Sequence, residues 1–511
     1  MRLTRNALLR GWVAALAIAA LSSSVHADVK LPNIFTEHMV LQQGQNNKVW
    51  GLAEPSEAVT VTIGSQSHQA TAAADGQWQV SLDALPVGGP LTLTVKGKNE
   101  IQFKDVLVGE VWICSGQSNM QWAVNNSTDS DLEKAAAKYP NIRMINFPQV
   151  GSQNPIWSHD DRKWQVCTPE NIPGWSAVGY FFARQLNQTL DVPIGMINNA
   201  WGGSACEAWI NRDVIAKNAE FQPLLDRWVL MEKTFDDLSK KSNLTEDEKK
   251  QLAGLQGQMG GNHRPANIYN GVLKSHLGYG IRGAIWYQGE SNASRSYQYR
   301  TLFPLMIQNW RDEWGQGDFP FYWVQLADFM AEKPEPAESS WAELREAQTM
   351  TMQKLKNTGE AVIIDIGEGK DIHPKNKVDV GRRLARWALA ADYKVPGIAY
   401  RSPLYKSMEP QGEKIVLTFE NVAANANGWR PFDVNEPRGF AIAGEDKKFA
   451  WASAKILPDG KIEVWSDAVK APVAVRYGWA DNPVVNMFSA EGLPLTPFRT
   501  DDWPGVTINA K

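Results

Sequence analysis

The chain has 511 residues, more than one compact core normally holds, so we expect two or three domains. Its formal net charge of −4 is too small to give an electrostatic basis for binding nucleic acid or an anionic membrane. Three cysteines are too few for a disulfide scaffold, and at least one of them must be unpaired. The 22 tryptophans provide aromatic surface for a core or for stacking on sugar rings, and composition leaves both uses open.

The N-terminus has the pattern of a secretory signal peptide. Three arginines within the first ten residues precede a short apolar run at 12–21, which is too short to span a bilayer. Val25-His26-Ala27 fits the small-x-small pattern of a cleavage site. We therefore expect a signal peptide over 1–27, cleaved near Ala27, and an exported protein that is periplasmic or secreted; an uncleaved anchor is the alternative. No later run is apolar enough to predict a membrane span.

Residues 28–105 show short alternating segments separated by Gly, Pro, Asp and Asn. This pattern is typical of antiparallel strands joined by tight turns, and Asp75-Gly76 is a hairpin-type turn signal. Strands are predicted at 58–64, 78–82 and 91–95. We therefore expect a small β-sandwich-like module before the rest of the chain.

Between 106 and 400, apolar strands alternate with helical segments, which predicts an α/β domain with a parallel sheet and helices on both faces. The strands are predicted at 111–114, 142–147, 194–198, 283–287, 321–326 and 361–366. The helices are predicted at 129–138, 177–188, 297–314, 341–356 and 377–390. A charged insertion at 221–260 is interpreted as a lid or a solvated helical hairpin, and 401–511 as a C-terminal β-rich module.

Two distant segments carry the residue types of a serine hydrolase. The apolar run that begins at Gly109 stops in small polar residues at Ser118, where a strand meets a helix. A serine hydroxyl needs an adjacent base to act as a nucleophile, and a histidine is suited to that role at neutral pH. The segment Asp371-Ile372-His373-Pro374 provides such a histidine. Ser118 and His373 therefore predict acyl transfer.

Two further segments offer donors for the oxyanion that forms during acyl transfer. They are the glycine pair Gly202-Gly203 and the amide side chain of Gln288, each of which follows a predicted strand. In open α/β sheets such strand ends form the ligand site. The chain has no metal-ligand spacing, and the predicted chemistry needs no metal and no cofactor.

Each of these signals has a purely structural alternative. Ser118 can act as a helix N-cap, Gly202-Gly203 as a tight turn, and His373 as a surface loop residue. The segment around Ser118 also lacks the final glycine of the nucleophile elbow, which weakens the ordinary α/β-hydrolase interpretation. The occurrence of four such segments at successive strand ends favours the catalytic interpretation.

Three long motifs, in this order, resemble the sialate O-acetylesterase family. They are Gly109-Glu110-Val111-Trp112 with Ser115-Gly116-Gln117-Ser118-Asn119-Met120, then Trp286-Tyr287-Gln288-Gly289-Glu290-Ser291-Asn292-Ala293, then Asp371-Ile372-His373-Pro374 followed by Asn376-Lys377. That family belongs to the SGNH, or GDSL-like, hydrolases. The resemblance implies a flavodoxin-like three-layer α/β/α core with flanking β-rich modules.

The resemblance also implies a role for each matching residue. Ser118 would be the nucleophile, and its backbone N–H would be one oxyanion donor. His373 would be the base. Gly203 would be the second oxyanion donor, with Gly202 as the alternative. Gln288 would be the third donor, with Asn292 as a less favoured candidate. SGNH enzymes place an aspartate three positions before the histidine, but here that residue is Lys370. Asp371 is the candidate acid, and a Ser-His dyad is the alternative.

The predicted function is removal of O-acetyl groups from carbohydrates through an acyl-enzyme. Trp122, Trp201, Tyr287 and Glu290 lie near the motifs and are candidate substrate contacts. The family name suggests acetylated sialic acid, whose carboxylate would need a cation such as Arg282, Arg295 or Arg345. Acetylated xylan or xyloglucan would need none, and the sequence leaves both substrates open.

Two other classes of function remain. A non-catalytic glycan-binding protein would leave Ser118 and His373 unexplained, and so would a glycosidase that uses Glu290 and Asp371. No protein partner is predicted.

Overall fold

The computed structural model describes residues 28–511. The predicted signal peptide at 1–27 lies outside this range. None of the described helices has the length and apolarity needed to cross a membrane. All three cysteines, Cys114, Cys167 and Cys206, are buried and free, which agrees with the expectation that the chain is not a disulfide scaffold.

The first strands form a β-rich unit whose last strand continues into the central sheet. This strand, β7, has 17 residues and is buried from Val106 onward, so the predicted boundary at residue 105 lies inside it. Two glycines, Gly109 and Gly116, allow the close approach of neighbouring backbone along this strand. The strands are β1 (Val40–Gln42), β2 (Asn47–Leu52), β3 (Ala58–Ile63), β4 (Gln66–Thr71), β5 (Gln77–Leu82), β6 (Gly88–Lys96) and β7 (Glu100–Gly116).

A seven-stranded path at the centre of the sheet has the order β13-β12-β11-β7-β10-β8-β9, and all neighbours on it are parallel except β8 and β9. The mixed α/β class predicted from strand–helix alternation is therefore confirmed. The added strands are β8 (Tyr139–Asn146), β9 (Trp164–Cys167), β10 (Ile194–Asn198), β11 (Gly283–Tyr287), β12 (Phe321–Val324) and β13 (Thr358–Ala361).

Helices cover both faces of this sheet. Along β7, Val111 and Ile113 face one apolar cluster, and Trp112 and Cys114 face the other, as the alternation of a strand requires. The first cluster includes α8 and α9, and the second includes α3 and α10. The helices are α1 (Ser118–Gln121), α2 (Ser130–Ala136), α3 (Ala177–Leu190), α4 (Arg212–Ala216), α5 (Gln222–Lys240), α6 (Glu246–Met259), α7 (Asn267–Gly271), α8 (Ser296–Trp314), α9 (Ser340–Lys354) and α10 (Lys377–Trp387).

The sixth strand differs from its prediction at 361–366. The structure places it at Thr358–Ala361, and only one residue overlaps. Its partner β12 ends at Val324, which pairs with Ala361, so no ladder is available beyond that point. Val362, Ile363 and Ile364 are buried by packing without being part of a strand, which explains the misleading apolar run.

The C-terminal part consists of two four-stranded sheets with orders β14-β15-β19-β18 and β17-β16-β20-β21. Side chains of both sheets meet in one apolar cluster that includes Leu417, Val464, Ile442 and Tyr477. The strands are β14 (Leu404–Gln411), β15 (Lys414–Glu420), β16 (Phe440–Ala443), β17 (Phe449–Trp451), β18 (Ser453–Ile456), β19 (Ile462–Trp465), β20 (Ala474–Tyr477) and β21 (Phe498–Arg499).

Candidate active site

Ser118 is the first residue of α1, directly beyond the carboxyl end of β7. The strand ends at Gly116, whose φ is +134°, and an added Cβ there would lie 2.2 Å from the carbonyl oxygen of Tyr287. Only glycine permits this contact with β11. Because the first N–H groups of a helix have no partner within it, the Ser118 N–H is available to an oxyanion.

His373, from the predicted segment Asp371-Ile372-His373-Pro374, lies next to Ser118. Its Nε2 lies 2.9 Å from Oγ of Ser118, at hydrogen-bond distance. The imidazole also stacks on the indole of Trp122, with centroids 4.8 Å apart and planes inclined by 14°. Partial burial lowers the pKa of His373 below its ordinary value, and the Asp371 carboxylate partly offsets this effect. The ring is therefore neutral near pH 7, as a general base must be.

Asp371 is only loosely placed as a partner of His373. Its Oδ1 lies 3.5 Å from Nδ1 of His373, beyond ordinary hydrogen-bond distance, and accepts the backbone N–H of His373 at 2.9 Å. Its Oδ2 accepts from Lys375 at 2.9 Å. This hydrogen bond with Lys375 is the main reason that the pKa of Asp371 is lowered. The structure therefore gives His373 an ionised neighbour rather than a close hydrogen-bonded acid.

The two glycines after β10 differ in what their N–H groups do. The Gly202 N–H donates to Oε1 of Gln121 at 2.7 Å and is therefore occupied. No hydrogen bond among residues 28–511 uses the Gly203 N–H. Gly203 has φ +71°, in the left-handed region that favours glycine. Of the two glycines, only Gly203 has a backbone N–H that is free to donate to an oxyanion.

Gln288 has no donor left for an oxyanion. Its Nε2 donates to the carbonyl oxygen of Ser204 at 3.1 Å and to Oδ1 of Asn292 at 2.7 Å, which uses both amide protons. Its Oε1 accepts from Tyr299, and the side chain is completely buried. This arrangement gives no support to the prediction that Gln288 is an oxyanion donor. The runner-up, Asn292, is also engaged, because its Nδ2 donates to Glu207 at 3.0 Å.

The four candidate substrate contacts divide into two groups. Trp122 and Trp201 are half-buried. The backbone N–H of Trp201 donates to the carbonyl oxygen of Gly116, two residues before Ser118. Tyr287 is 0 % exposed, which gives no support to its prediction as a substrate contact. Glu290 points inward as well, since its Oε1 accepts from Asn119 at 2.7 Å and its Oε2 is buried with no partner among residues 28–511.

A buried polar group behind Ser118 was not predicted. Asn119 donates from Nδ2 to the carbonyl oxygen of Ile372 at 2.9 Å and accepts from Nζ of Lys377 at 2.6 Å. The Lys377 ammonium also lies over the ring of Tyr287, 5.2 Å from its centroid. Burial lowers the pKa of Lys377 to about 7 and raises that of Glu290. Asn119 and Lys377 thus hold the loop of His373 against the helix of Ser118.

The insertion is a helical hairpin made of α5 and α6, and the segment after it contacts the glycine loop. Nδ2 of Asn262 donates to the carbonyl oxygen of Gly202, and Nε2 of His263 lies 2.7 Å from that of Gly203. These two residues were missed because nothing in the sequence around 262–263 marks a catalytic contact. Asn262 and His263 thus hold the carbonyl groups of the two glycines, while the Gly203 N–H stays free among the described residues.

The arginines considered for a sialate carboxylate are all used by the scaffold. Arg282 pairs with Glu110 at 2.7 Å, and Arg295 pairs with Glu207 at 2.6 Å. Arg345 is completely buried and donates to four backbone carbonyl groups. The prediction that one of the three supplies a cation to the substrate therefore finds no support in the structure.

A serine and a neutral histidine in hydrogen-bond contact, beside a free backbone N–H at a strand end, define a site for ester or amide hydrolysis. Comparisons with known proteins narrow this class. The family model described as carbohydrate esterase, sialic acid-specific acetylesterase matches 108–244 and 262–390, and the chain belongs to this family. The protein is thus a carboxylic ester hydrolase, a carbohydrate O-acetylesterase.

Individual relatives agree with this assignment. The mouse sialate O-acetylesterase is 27% identical over 92% of this chain and 92% of its own length. The human sialate O-acetylesterase is 26% identical over 92% of this chain and 93% of its own. The crystal structure of a carbohydrate acetylesterase from Xanthomonas citri is 38% identical, with a TM-score of 0.80, over 93% of this chain and 100% of that one.

Proposed function

We propose that Ser118 is the nucleophile and His373 the general base of this esterase. The observation that carries this proposal is the 2.9 Å contact between Ser118 Oγ and His373 Nε2. The flavodoxin-like SGNH core belongs to the same proposal. It is supported by the parallel sheet, by helices on both faces and by a nucleophile at the end of β7.

The reaction proceeds in two acyl transfers. Ser118 Oγ attacks the acetyl carbonyl carbon, and its proton passes to Nε2 of His373. The N–H groups of Ser118 and Gly203 hold the oxyanion. When the intermediate collapses, the sugar oxygen leaves with the proton from His373. Water then gives a proton to His373, attacks the acetyl-serine, and releases acetate while Ser118 regains its proton.

We propose a neutral acetylated polysaccharide, such as xylan or xyloglucan, as the substrate. The observation in its favour is that Arg282, Arg295 and Arg345 are all engaged in the scaffold. On the exposed loop at the site, Lys375 is paired with Glu368 and Asp371, so this lysine is not free to bind a carboxylate. Acetylated sialic acid, the substrate named for the mammalian relatives, is the second candidate.

We also propose that residues 1–27 are removed on export, that 28–105 and 401–511 are β-rich modules, and that 106–400 form the catalytic domain. The proposal of removal rests on the basic and apolar pattern of the first 21 residues and on the cleavage pattern Val25-His26-Ala27. Mass spectrometry of the protein recovered from periplasm and medium tests this directly. An intact N-terminus in both fractions would contradict cleavage near Ala27.

The function is tested by measuring acetate release from p-nitrophenyl acetate, acetylated xylan, acetylated xyloglucan and O-acetylated sialic acid. Ser118→Ala abolishes release from every substrate if Ser118 is the nucleophile. Ser127→Ala is the matched control, because that hydroxyl only donates to the carbonyl oxygen of Ala123. Full activity of Ser118→Ala would overturn the mechanism, and a strong preference for acetylated sialic acid would overturn the neutral substrate.

A further inference from the structure

Two adjoining cavities lie between the loop at 329–338 and the C-terminal sheets, outside the catalytic centre. Each has a volume of about 300 Å³, within the range of small-molecule sites. They share Gly439, Trp451 and Trp479, so one continuous wall serves both. Nothing in the mechanism described above uses this wall.

Trp451 gives this wall an accessible aromatic face. Its residue surface is 41% exposed, and no other tryptophan among residues 28–511 reaches that class of exposure. The ring is held in place, because Nε1 donates to the carbonyl oxygen of Pro334 at 2.6 Å and the backbone belongs to β17. A rigid, exposed aromatic ring loses little conformational freedom when it binds, and the C–H faces of pyranose rings pack on such surfaces.

The remaining lining suits a ligand rich in hydroxyl groups. One cavity includes side chains of both charges and an amide, namely Glu332, Lys333, Arg438 and Asn482. Charged and amide side chains of this kind can donate and accept hydrogen bonds with hydroxyl groups.

The cavities are adjacent to the loop that carries His373. Asn482, which lines one of them, donates from Nδ2 to the carbonyl oxygen of Met330 at 2.8 Å. A Cβ added to Gly369 would lie 2.7 Å from that same Nδ2. Asp328, the residue before the loop at 329–338, also contacts the loop that carries His373, because its Oδ1 accepts the Gly367 N–H at 2.7 Å. The cavity that Asn482 lines is therefore next to Gly369, four residues before His373.

We propose that these cavities are an accessory subsite that binds unmodified pyranose units of the polysaccharide whose acetyl group is cleaved at Ser118. This inference rests on the proposed function, because it assumes a polymeric substrate. A subsite of this kind contributes binding energy to polymers and none to a small ester. Trp451 is then a determinant of substrate length rather than of chemistry.

The test compares acetylated xylan with p-nitrophenyl acetate in wild type and Trp451→Ala. We expect kcat/KM on the polymer to fall five- to twentyfold, mainly through KM, while kcat/KM on p-nitrophenyl acetate stays within twofold. Affinity gel electrophoresis with the same xylan after alkaline deacetylation should show retarded wild type and unretarded variant. Phe432→Ala is the control, since Phe432 is an aromatic residue of the same module, 70% exposed and outside both cavities.

A second variant protects the test against misfolding. Val484→Trp fills one cavity from a side chain that is 51% exposed, and should reproduce the selective loss on polymer without removing Trp451. Unchanged polymer kinetics and retardation in both variants would overturn the subsite. Loss of p-nitrophenyl acetate hydrolysis in wild type would instead overturn the proposed function, so the two failures are distinguishable.

Discussion

Nε2 of His373 lies 2.9 Å from Oγ of Ser118, although the two residues are 255 positions apart in the chain. The contact exists because β7 ends, and the loop between β13 and α10 begins, at the carboxyl edge of the parallel sheet. His373→Ala should therefore lower kcat at least about a thousandfold, as removal of a triad base does in serine hydrolases. Circular dichroism and steady-state kinetics on p-nitrophenyl acetate check this. Activity within tenfold of wild type would exclude His373 as the base.

Asp371→Asn should have a much smaller effect. The carboxylate is 3.5 Å from the imidazole, solvent-accessible and shared with Lys375. We expect kcat to fall less than about tenfold, against about ten-thousandfold for the buried, hydrogen-bonded acid of a tight triad. The carboxylate raises the pKa of His373, so its removal should shift the acid limb of the pH profile to lower pH. Glu368→Gln, which neutralises the neighbouring carboxylate, is the control. A thousandfold loss of kcat in Asp371→Asn would instead establish a full triad.

Lys377→Met should shift the pH profile in the opposite direction. The Lys377 charge lowers the pKa of His373, so its loss raises that pKa and moves the acid limb of kcat/KM to higher pH. His373 must be neutral to accept a proton, so activity at pH 6 should fall more than activity at pH 8. Lys370→Met provides the matched lysine control. Equal losses at both pH values would indicate a purely structural role for Lys377.

Gly203→Ala and Gly202→Ala form a matched pair. Gly203 has φ +71°, which costs an L-residue about 1 kcal/mol or more, so relaxation of the backbone displaces its N–H. Loss of one oxyanion donor lowers kcat about 100- to 1,000-fold, and we expect Gly203→Ala to approach this loss with little change in KM. Gly202→Ala meets the movable Oε1 of Gln121 at 2.9 Å and should lose less. The reverse order would assign the donor to Gly202.

Arg295→Met should destabilise the fold without changing substrate preference. Its guanidinium pairs with the buried carboxylate of Glu207, and the attraction of Arg295 helps to lower the pKa of that group despite its burial. Removing one partner of a buried pair costs about 3–5 kcal/mol of unfolding free energy. Urea denaturation measures this loss. A stable variant with a raised KM for acetylated sialic acid alone would instead place Arg295 in the substrate site.

Local patterns predicted the segments that the structure brings together at the candidate site, because the residues that follow a strand are its neighbours in the chain. Ser118 follows an apolar run, and His373 lies in a short polar loop before a helix. The strands at Ile194–Asn198 and Gly283–Tyr287 have the bounds expected from their apolar runs. The strand expected at 361–366 was misplaced, because burial of an apolar run does not ensure a pairing partner.

The sequence by itself determined the class of fold, the nucleophile and base candidates, and the family resemblance, since these depend on periodicity and on residues close together in the chain. Only the tertiary structure decided how polar side chains are used. The amide of Gln288 donates to Ser204 and Asn292, and the guanidinium of Arg345 donates to backbone carbonyl groups. The side chain of Asn119 donates to Ile372 and accepts from Lys377. A side-chain amide or guanidinium bonds with whatever lies within reach, and that set is fixed by packing between distant segments.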